Sequence, residues 1–288
     1  MKYYTYYPGC SAEATSIPLG LSVPPVAKAL DMDLVELEDW NCCGSTPYWS
    51  VDKLEAAAMA ARNLALAEKT GLDLVTPCSN CFVVLHGANN HLKELPRFRE
   101  QVNEALAAAN LKYGGGVRVR HLVEVLYNDI TPEVIAGKVT KPLKGLKVAP
   151  YYGCQLVRPN GFDDPESPHS LDELVASLGA DVVSWEMKAR CCGSSLALAE
   201  PDVALELINK LLRNAHENGA QCLVTPCPLC QFNLDAYQSV ANSQFKTKYN
   251  LPVLFVTQLI GVALGISADE LALSRNIVSP MSVLAPYL

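Results

Sequence analysis

The chain has 288 residues, half of them apolar and 18% charged, with a formal net charge of −7. That length holds one large domain or two ordinary ones, and the apolar fraction belongs to a compact fold with little room for disorder. The negative balance argues against nucleic acid or an anionic membrane as main partner, because both need a basic surface. The longest apolar stretch, Leu251 to Leu264, is broken by Pro252, Thr257 and Gln258 and reads as a strand running into a helix, with no membrane span. The N-terminus lacks a basic region followed by an apolar core, so the expected location is the cytoplasm. Eleven cysteines are many for a reduced compartment. In a long chain, odd in number and without an export signal, they point to metal or redox chemistry and away from a disulfide scaffold.

In chain order, Tyr3 to Tyr7 is a strand-like run ending in Pro8-Gly9-Cys10. Val26 to Leu30 closes a helix, Leu34 to Leu37 suggests a strand, and Trp40-Asn41-Cys42-Cys43-Gly44-Ser45 follows. Asp52 to Glu68 is an alanine-rich amphipathic helix. The apolar strand Leu72 to Thr76 runs into Pro77-Cys78-Ser79-Asn80-Cys81, with a helix expected after it, and Val117 to Leu122 is a strand feeding a helix. Between Ile130 and Leu146 the periodicity is interrupted by Pro132, Gly137, Pro142 and Gly145, which divides the chain into 1–138 and 139–288. The order then restarts. Lys147 to Tyr152 is a strand ending in Gly153-Cys154, Ser170 to Leu178 a helix, and Val182 to Trp185 a strand. Ala189-Arg190-Cys191-Cys192-Gly193-Ser194 precedes a helix from Pro201 to Asn218. Cys222 to Thr225 is a strand before Pro226-Cys227-Pro228-Leu229-Cys230, and Val253 to Leu259 is again a strand entering a helix.

The chain is therefore written twice. In both halves 33 residues separate the glycine of Cys-Cys-Gly, Gly44 or Gly193, from the first cysteine of Cys-x-x-Cys, Cys78 or Cys227. Strands alternating with helices imply an α/β fold of two pseudosymmetric repeats, each a short parallel sheet flanked by helices. The cysteines fall where strands end, the edge at which open α/β sheets place their sites. Pro77 and Pro226 stop the strand before each Cys-x-x-Cys, and the amides of the following helix start favour thiolate. Gly44 and Gly193 supply backbone freedom beside paired thiols that must point into one site.

Five thiolates per repeat are one more than tetrahedral zinc takes. Adjacent cysteines aim poorly at one ion but well at different irons of a cluster, which favours an iron–sulfur group over zinc. A thioredoxin-like dithiol explains Cys78/Cys81 and Cys227/Cys230 but leaves Cys10, Cys42, Cys43, Cys154, Cys191 and Cys192 without a role. Two clusters, one per repeat, account for ten of the eleven.

Cys10…Cys42-Cys43-Gly44…Cys78-Ser79-Asn80-Cys81 and Cys154…Cys191-Cys192-Gly193…Cys227-Pro228-Leu229-Cys230 resemble the two CCG domains of the heterodisulfide reductase B subunit. The likeness covers nearly the whole chain and extends to Tyr6-Tyr7-Pro8-Gly9-Cys10, Asp39-Trp40-Asn41 and Leu156-Val157-Arg158-Pro159. It implies that each five-cysteine set holds a noncubane [4Fe–4S] cluster and that the two clusters face each other across a disulfide. It also implies electrons arriving singly from a ferredoxin-like partner with cubane clusters, and a flavin subunit beyond it. Methanogen members continue the first motif as Cys-Cys-Pro-Ala-Pro-Gly, where this chain has Cys43-Gly44-Ser45-Thr46-Pro47. The chain is thus more similar to the bacterial and sulfur-oxidation relatives, for which the implied substrate is a disulfide, a thiol or sulfane sulfur rather than the coenzyme M–coenzyme B disulfide.

Several other residues have ordinary readings. Cys222 has no partner in the repeat, since Asp73 stands at the matching position, and belongs in the core. His86 and His91 follow the first Cys-x-x-Cys on one helix and read as surface or supporting side chains. His121 follows a strand end, so it is equally a substrate-facing group and a packed one; its expected counterpart is Gln258. Arg158 and Arg190 flank second-repeat cysteines and read as solvated charges before anion binders. Tyr48 and Trp49 either wall a pocket or pack in the core.

Overall fold

A computed structural model of the chain describes residues 1–159 and 161–288. Its strands are β1 Lys2–Tyr6, β2 Met32–Glu36, β3 Leu74–Thr76 and β4 Val119–His121 in the first half, and β5 Lys147–Pro150, β6 Asp181–Val182, β7 Cys222–Thr225 and β8 Val253–Phe255 in the second. They form two four-stranded sheets of the same order, β2-β1-β3-β4 and β6-β5-β7-β8, parallel throughout. The α/β duplication expected from the motifs is what the chain adopts. Parallel strands are covered on both faces, so the central ones read as short apolar runs: Leu74 and Val75 in β3, Cys222, Leu223 and Val224 in β7, all buried.

Among the described residues nine longer helices flank the sheets: α1 Ile17–Ala29, α2 Lys53–Glu68, α3 Ser79–Glu94, α4 Pro96–Ala107, α5 Ser170–Ser177, α6 Pro201–Glu217, α7 Pro228–Ala236, α8 Gln238–Phe245 and α9 Val256–Ala263. The side chain of Asp52 caps α2, accepting from the amides of Leu54 and Glu55 at 2.8 and 2.9 Å. The second edge strand is shorter than Val182 to Trp185 suggests. Its register pairs only Asp181 and Val182 with β5, because the next β5 residue due to donate, Pro150, has no N–H.

Each half has its own core, around Leu64, Leu74 and Leu85 in the first and Ile208, Leu211 and Leu223 in the second. A third core belongs to both. In it Leu19, Val23 and Val26 of α1 meet Leu259 and Ile260 of α9. Reciprocally, the helical segment that begins at Leu122 and widens into a π-turn at Leu126–Ile130 packs on α5. The seam includes a buried hydrogen bond of 2.6 Å between the hydroxyls of Ser22 and Thr257.

Candidate metal centre

β1 and β5 each run into a turn that brings backbone against sulfur. Gly9 has φ +79°, and a Cβ there would lie 3.0 Å from Cys81 Sγ; Gly153 has φ +66°, and a Cβ there would lie 2.8 Å from Cys230 Sγ. Only glycine satisfies both demands. The residue two before each glycine is a fully buried tyrosine whose hydroxyl donates to the carbonyl just before the paired cysteines. Tyr7 reaches Asn41 and Tyr151 reaches Arg190, both at 2.8 Å. In the first repeat Asn63 of α2 clamps the same backbone, accepting from the Asn41 amide and donating to its carbonyl, each at 2.9 Å. In the second, Asn233 of α7 donates to the carbonyls of Cys192 and Ser194 at 3.2 and 3.0 Å. Gly44 and Gly193 follow the paired cysteines with φ +89° and +92°, turning the chain away from the thiols.

All ten repeat cysteines are free thiols, gathered five to a set. Each set has three buried members, Cys43, Cys78 and Cys81 or Cys192, Cys227 and Cys230, and two outer ones, Cys10 and Cys42 or Cys154 and Cys191. Sulfurs meet at 3.6 Å in the pairs Cys10–Cys42, Cys43–Cys81 and Cys192–Cys230. Among the described residues no group of three or more His, Cys, Asp or Glu side chains surrounds a single point as the ligands of one ion do.

The thiols share protons. Cys43 is pulled down to about 3 by hydrogen bonds from the thiols of Cys42 and Cys81, while the proton-donating Cys42 is pushed up. Cys191 is lowered to about 6 by the thiol of Cys154, and Cys227 is lowered chiefly by that of Cys230. Five soft donors gathered in each set fit a multi-iron sulfide group in which several irons take the place of the shared protons.

The two sets adjoin. Gln155, next to Cys154, donates to Asn80 Oδ1 at 3.1 Å and to Thr46 Oγ1 at 3.5 Å; Asn80 in turn donates to Ser45 Oγ at 3.0 Å. Ser79 lines the small cavity formed by Cys154, Cys191, Cys192, Cys227 and Cys230. The middle residues of the first Cys-x-x-Cys thus face the second set. Sequence reasoning missed this bridge. Its one signal was the contrast of Ser79-Asn80 with Pro228-Leu229 inside otherwise matching motifs.

The remaining side chains sort differently. Cys222 is buried in the shared core, where burial pushes its thiol up to about 12. Arg158 braces the approach to Cys191, donating to the Ala189 carbonyl at 3.0 Å and pairing with Glu166 at 3.1 Å, whereas Arg190 is exposed. His86 packs on Phe82, His91 stacks on Trp49, and Tyr48 hydrogen-bonds Glu55, all beside the sulfurs rather than among them. His121 is fully buried, and its repeat counterpart is not Gln258. Sheet register pairs His121 with Thr76 and Phe255 with Thr225, so His121 corresponds to Phe255. Gln258, third in its helix, corresponds to Glu124.

Duplicated strand-end cysteine sets define a class, the cysteine-rich (CCG) domain proteins, and that domain family matches residues 4–86 and 148–235. The chain is 39% identical over 281 residues, 96% of its length and 97% of the relative's, to the 8-methylmenaquinol:fumarate reductase membrane anchor subunit of Wolinella succinogenes. It is 36% identical to the B subunit of the ferredoxin/F420H2-dependent CoB-CoM heterodisulfide reductase of Methanosarcina acetivorans, covering 89% of this chain and 87% of that one. It is 31% identical to a heterodisulfide reductase B-subunit-like protein of Archaeoglobus profundus, with 94% of each covered. A crystal structure of a hypothetical protein from Helicobacter pylori shares the fold with a TM-score of 0.79 at 17% identity, over 96% of this chain and 52% of that one. The chain belongs to the family of heterodisulfide reductase B subunits, as an iron–sulfur, heterodisulfide-reductase-like subunit. Among the described residues no helix is long and apolar enough to cross a membrane.

Proposed function

We propose that this chain is the catalytic iron–sulfur subunit of a heterodisulfide-reductase-like complex. It holds two noncubane [4Fe–4S] clusters, one through Cys10, Cys42, Cys43, Cys78 and Cys81, the other through Cys154, Cys191, Cys192, Cys227 and Cys230. It reduces a disulfide or, in reverse, oxidises thiols or sulfane sulfur. The observation that carries this reading is the placement of the two sets on either side of one seam, bridged by Gln155, Asn80 and Ser79. When bound, the clusters supply two one-electron carriers for a bond whose cleavage takes two electrons. The chain's own residues do the rest. Tyr7, Tyr151, Asn63 and Asn233 fix the backbone around the paired cysteines, and the Gln155–Asn80 bond holds the sets in register. Electrons come from outside, since the chain has no Gly-x-Gly-x-x-Gly fingerprint for flavin or nicotinamide. A ferredoxin-like subunit with cubane clusters and a flavin subunit behind it are the partners we assign, on the cytoplasmic side. The ferredoxin dependence named for the Methanosarcina relative supports that route.

A second reading has its own support. The Wolinella relative is named as part of a quinol:fumarate reductase, a complex whose named substrates are not disulfides. There a chain of this kind would relay electrons with no sulfur substrate of its own. One experiment separates the two. Anaerobically purified chain should carry iron and acid-labile sulfide for two four-iron clusters and little zinc. A candidate disulfide or sulfane donor should change the cluster spectra, and Cys42→Ser/Cys43→Ser and Cys191→Ser/Cys192→Ser should each abolish turnover with a strong chemical reductant. Stoichiometric zinc without sulfide ends the cluster reading; spectra indifferent to every sulfur compound favour the relay.

A further inference from the structure

Away from the sulfur seam, a cavity of about 420 Å³ opens between α1 and the edge strand β2. Val23, Pro24 and Ala27 of α1 line it from one side and Met32 and Leu34 of β2 from the other, with Tyr6 of the neighbouring β1. The opening has a cause in the sequence. Pro24 and Pro25 stand inside α1, so the carbonyls of Gly20 and Leu21 lack their helical donors and the proline rings press on that turn. β2 is the last strand of its sheet, and no further strand closes the cavity from outside. Within this apolar lining one polar group is unmet. Tyr6 is 7% exposed, and its buried hydroxyl has no hydrogen-bond partner. A buried hydroxyl normally finds one. The fold itself does not call for it: register sets Tyr6 against Val75 and Pro150 against Val224, so in the second repeat a proline takes its place. Among the lining side chains no cation is held inside to meet an anion, since Lys28 is exposed and outnumbered by Asp33 and Glu36. The guest that suits such a site is neutral and apolar with one accepting oxygen, and a rigid ring loses least freedom on entering.

We propose that this cavity binds a neutral, flat ring compound carrying a carbonyl oxygen, the quinone class, with its ring against Val23, Ala27 and Leu34 and its oxygen accepting from the Tyr6 hydroxyl. The site stands apart from the cluster reading, because α1, β1 and β2 build it without any cysteine. It nevertheless adjoins the first set through the strands. Tyr6 stands four residues before Cys10, and its ladder partner Val75 three before Cys78.

The test is equilibrium dialysis of the whole anaerobic chain, in its oxidised state, against duroquinone, whose fully substituted ring resists addition of thiols. Durene, the same methylated ring without oxygens, is the control. Duroquinone should bind at one molecule per chain. Tyr6→Phe should fold as wild type does, because it removes a hydroxyl that bonds to nothing. It should weaken duroquinone about fivefold, the worth of one hydrogen bond, and leave durene unchanged. Leu34→Trp, at a half-buried place on the edge strand, fills the cavity and should abolish binding of both, with its fold checked by far-ultraviolet circular dichroism. A wild-type chain that does not take up duroquinone overturns the proposal. So does a Tyr6→Phe variant in which duroquinone is unaffected or both compounds weaken equally. If Tyr6→Phe fails to fold, the decision falls to Leu34→Trp, where undiminished duroquinone binding overturns the proposal as well. Decanoate bound as tightly as duroquinone overturns the neutral class of guest. A chain free of iron and sulfide that still binds duroquinone ends the cluster reading and leaves this inference standing.

Discussion

Gly9 and Gly87 show how far the meaning of a glycine depends on its surroundings. Gly9 combines a left-handed φ with a Cβ position 3.0 Å from Cys81 Sγ, while Gly87 sits within α3 with nothing inside 4 Å of its Cβ position. Gly9→Ala should strain the turn by about 1–3 kcal/mol and push a methyl into the first sulfur set. Iron should fall by half, with the second set intact. Gly87→Ala should instead stabilise the chain by up to about 1 kcal/mol through helix propensity. Iron analysis and urea unfolding on the two variants check both signs. Cys222 makes the same point among the cysteines. Cys222→Ala should keep all the iron and cost about 1 kcal/mol for a lost buried thiol, whereas Cys192→Ser should disturb the second set. The ten set members were legible because duplication places them in register, and Cys222 was legible as the one that is not. Tyr7 stood inside a recognised motif, and Tyr151 and Gln155 stood beside one, but their contacts join residues between 34 and 75 positions apart, as with Tyr7 to Asn41 and Gln155 to Asn80. No spacing rule reports which way a side chain will point across a seam.

At the scale of elements, strand order and helix positions were readable from apolar runs, while register was not. The pairing of His121 with Gln258 failed because each stands just before a leucine near a strand–helix junction, and only the sheet ladder shows that the junctions are offset by three residues. The corrected register exposes a real difference between the sheets, because Arg120 in β4 occupies the place of Leu254 in β8. Arg120 is 4% exposed and forks onto Asp129 at 2.6 and 2.8 Å, with Nε on Glu124 at 2.9 Å. Arg120→Leu, although it copies the second repeat, removes one of the two arginine partners of the buried Glu124, leaving only Arg118, and should cost about 1–3 kcal/mol. The same cluster sets an acid response. Hydrogen bonds from Arg120 and then Tyr4 hold Asp129 down at about 2, below its ordinary 3.8. A carboxylate lowered in the folded state stabilises it above the unfolded value, and that contribution is lost as pH falls from 3.8 towards 2. Asp129→Asn should therefore be less stable than wild type near neutrality and should lose less between those limits. Urea midpoints measured across that range decide it; equal slopes would show that the fork does not set the response.

For the whole molecule, the sequence reading divides the repeats near residue 138, but the structure gives the two halves a core in common. Leu19, Val23, Val26 and Leu126 from the first half, and Leu171, Leu174, Leu259 and Ile260 from the second, are buried in that shared cluster. Exposing a large aliphatic side chain costs about 1.5–3 kcal/mol, so four uncovered on one half cost about 6–12 kcal/mol. That is comparable with the net stability of an ordinary domain, about 5–15 kcal/mol. We therefore expect fragment 1–138 expressed alone to aggregate or remain unfolded, and the same of 139–288. Co-expressed, the two should recover a one-to-one complex with the far-ultraviolet circular dichroism of the intact chain, because the seam carries its own register in the Ser22–Thr257 and Gln155–Asn80 hydrogen bonds. Size-exclusion chromatography and thermal unfolding are the readouts. A monomeric 1–138 that unfolds cooperatively and holds its own cluster would mean that the halves are autonomous domains in loose contact. A failure of either to fold alone, with recovery on mixing, would mean that the packing that stabilises the chain also fixes the distance between its sulfur sets. The site proposed above, acting on one substrate from two sides, requires that second arrangement, since docking that opens and closes would not hold the sets in a constant geometry.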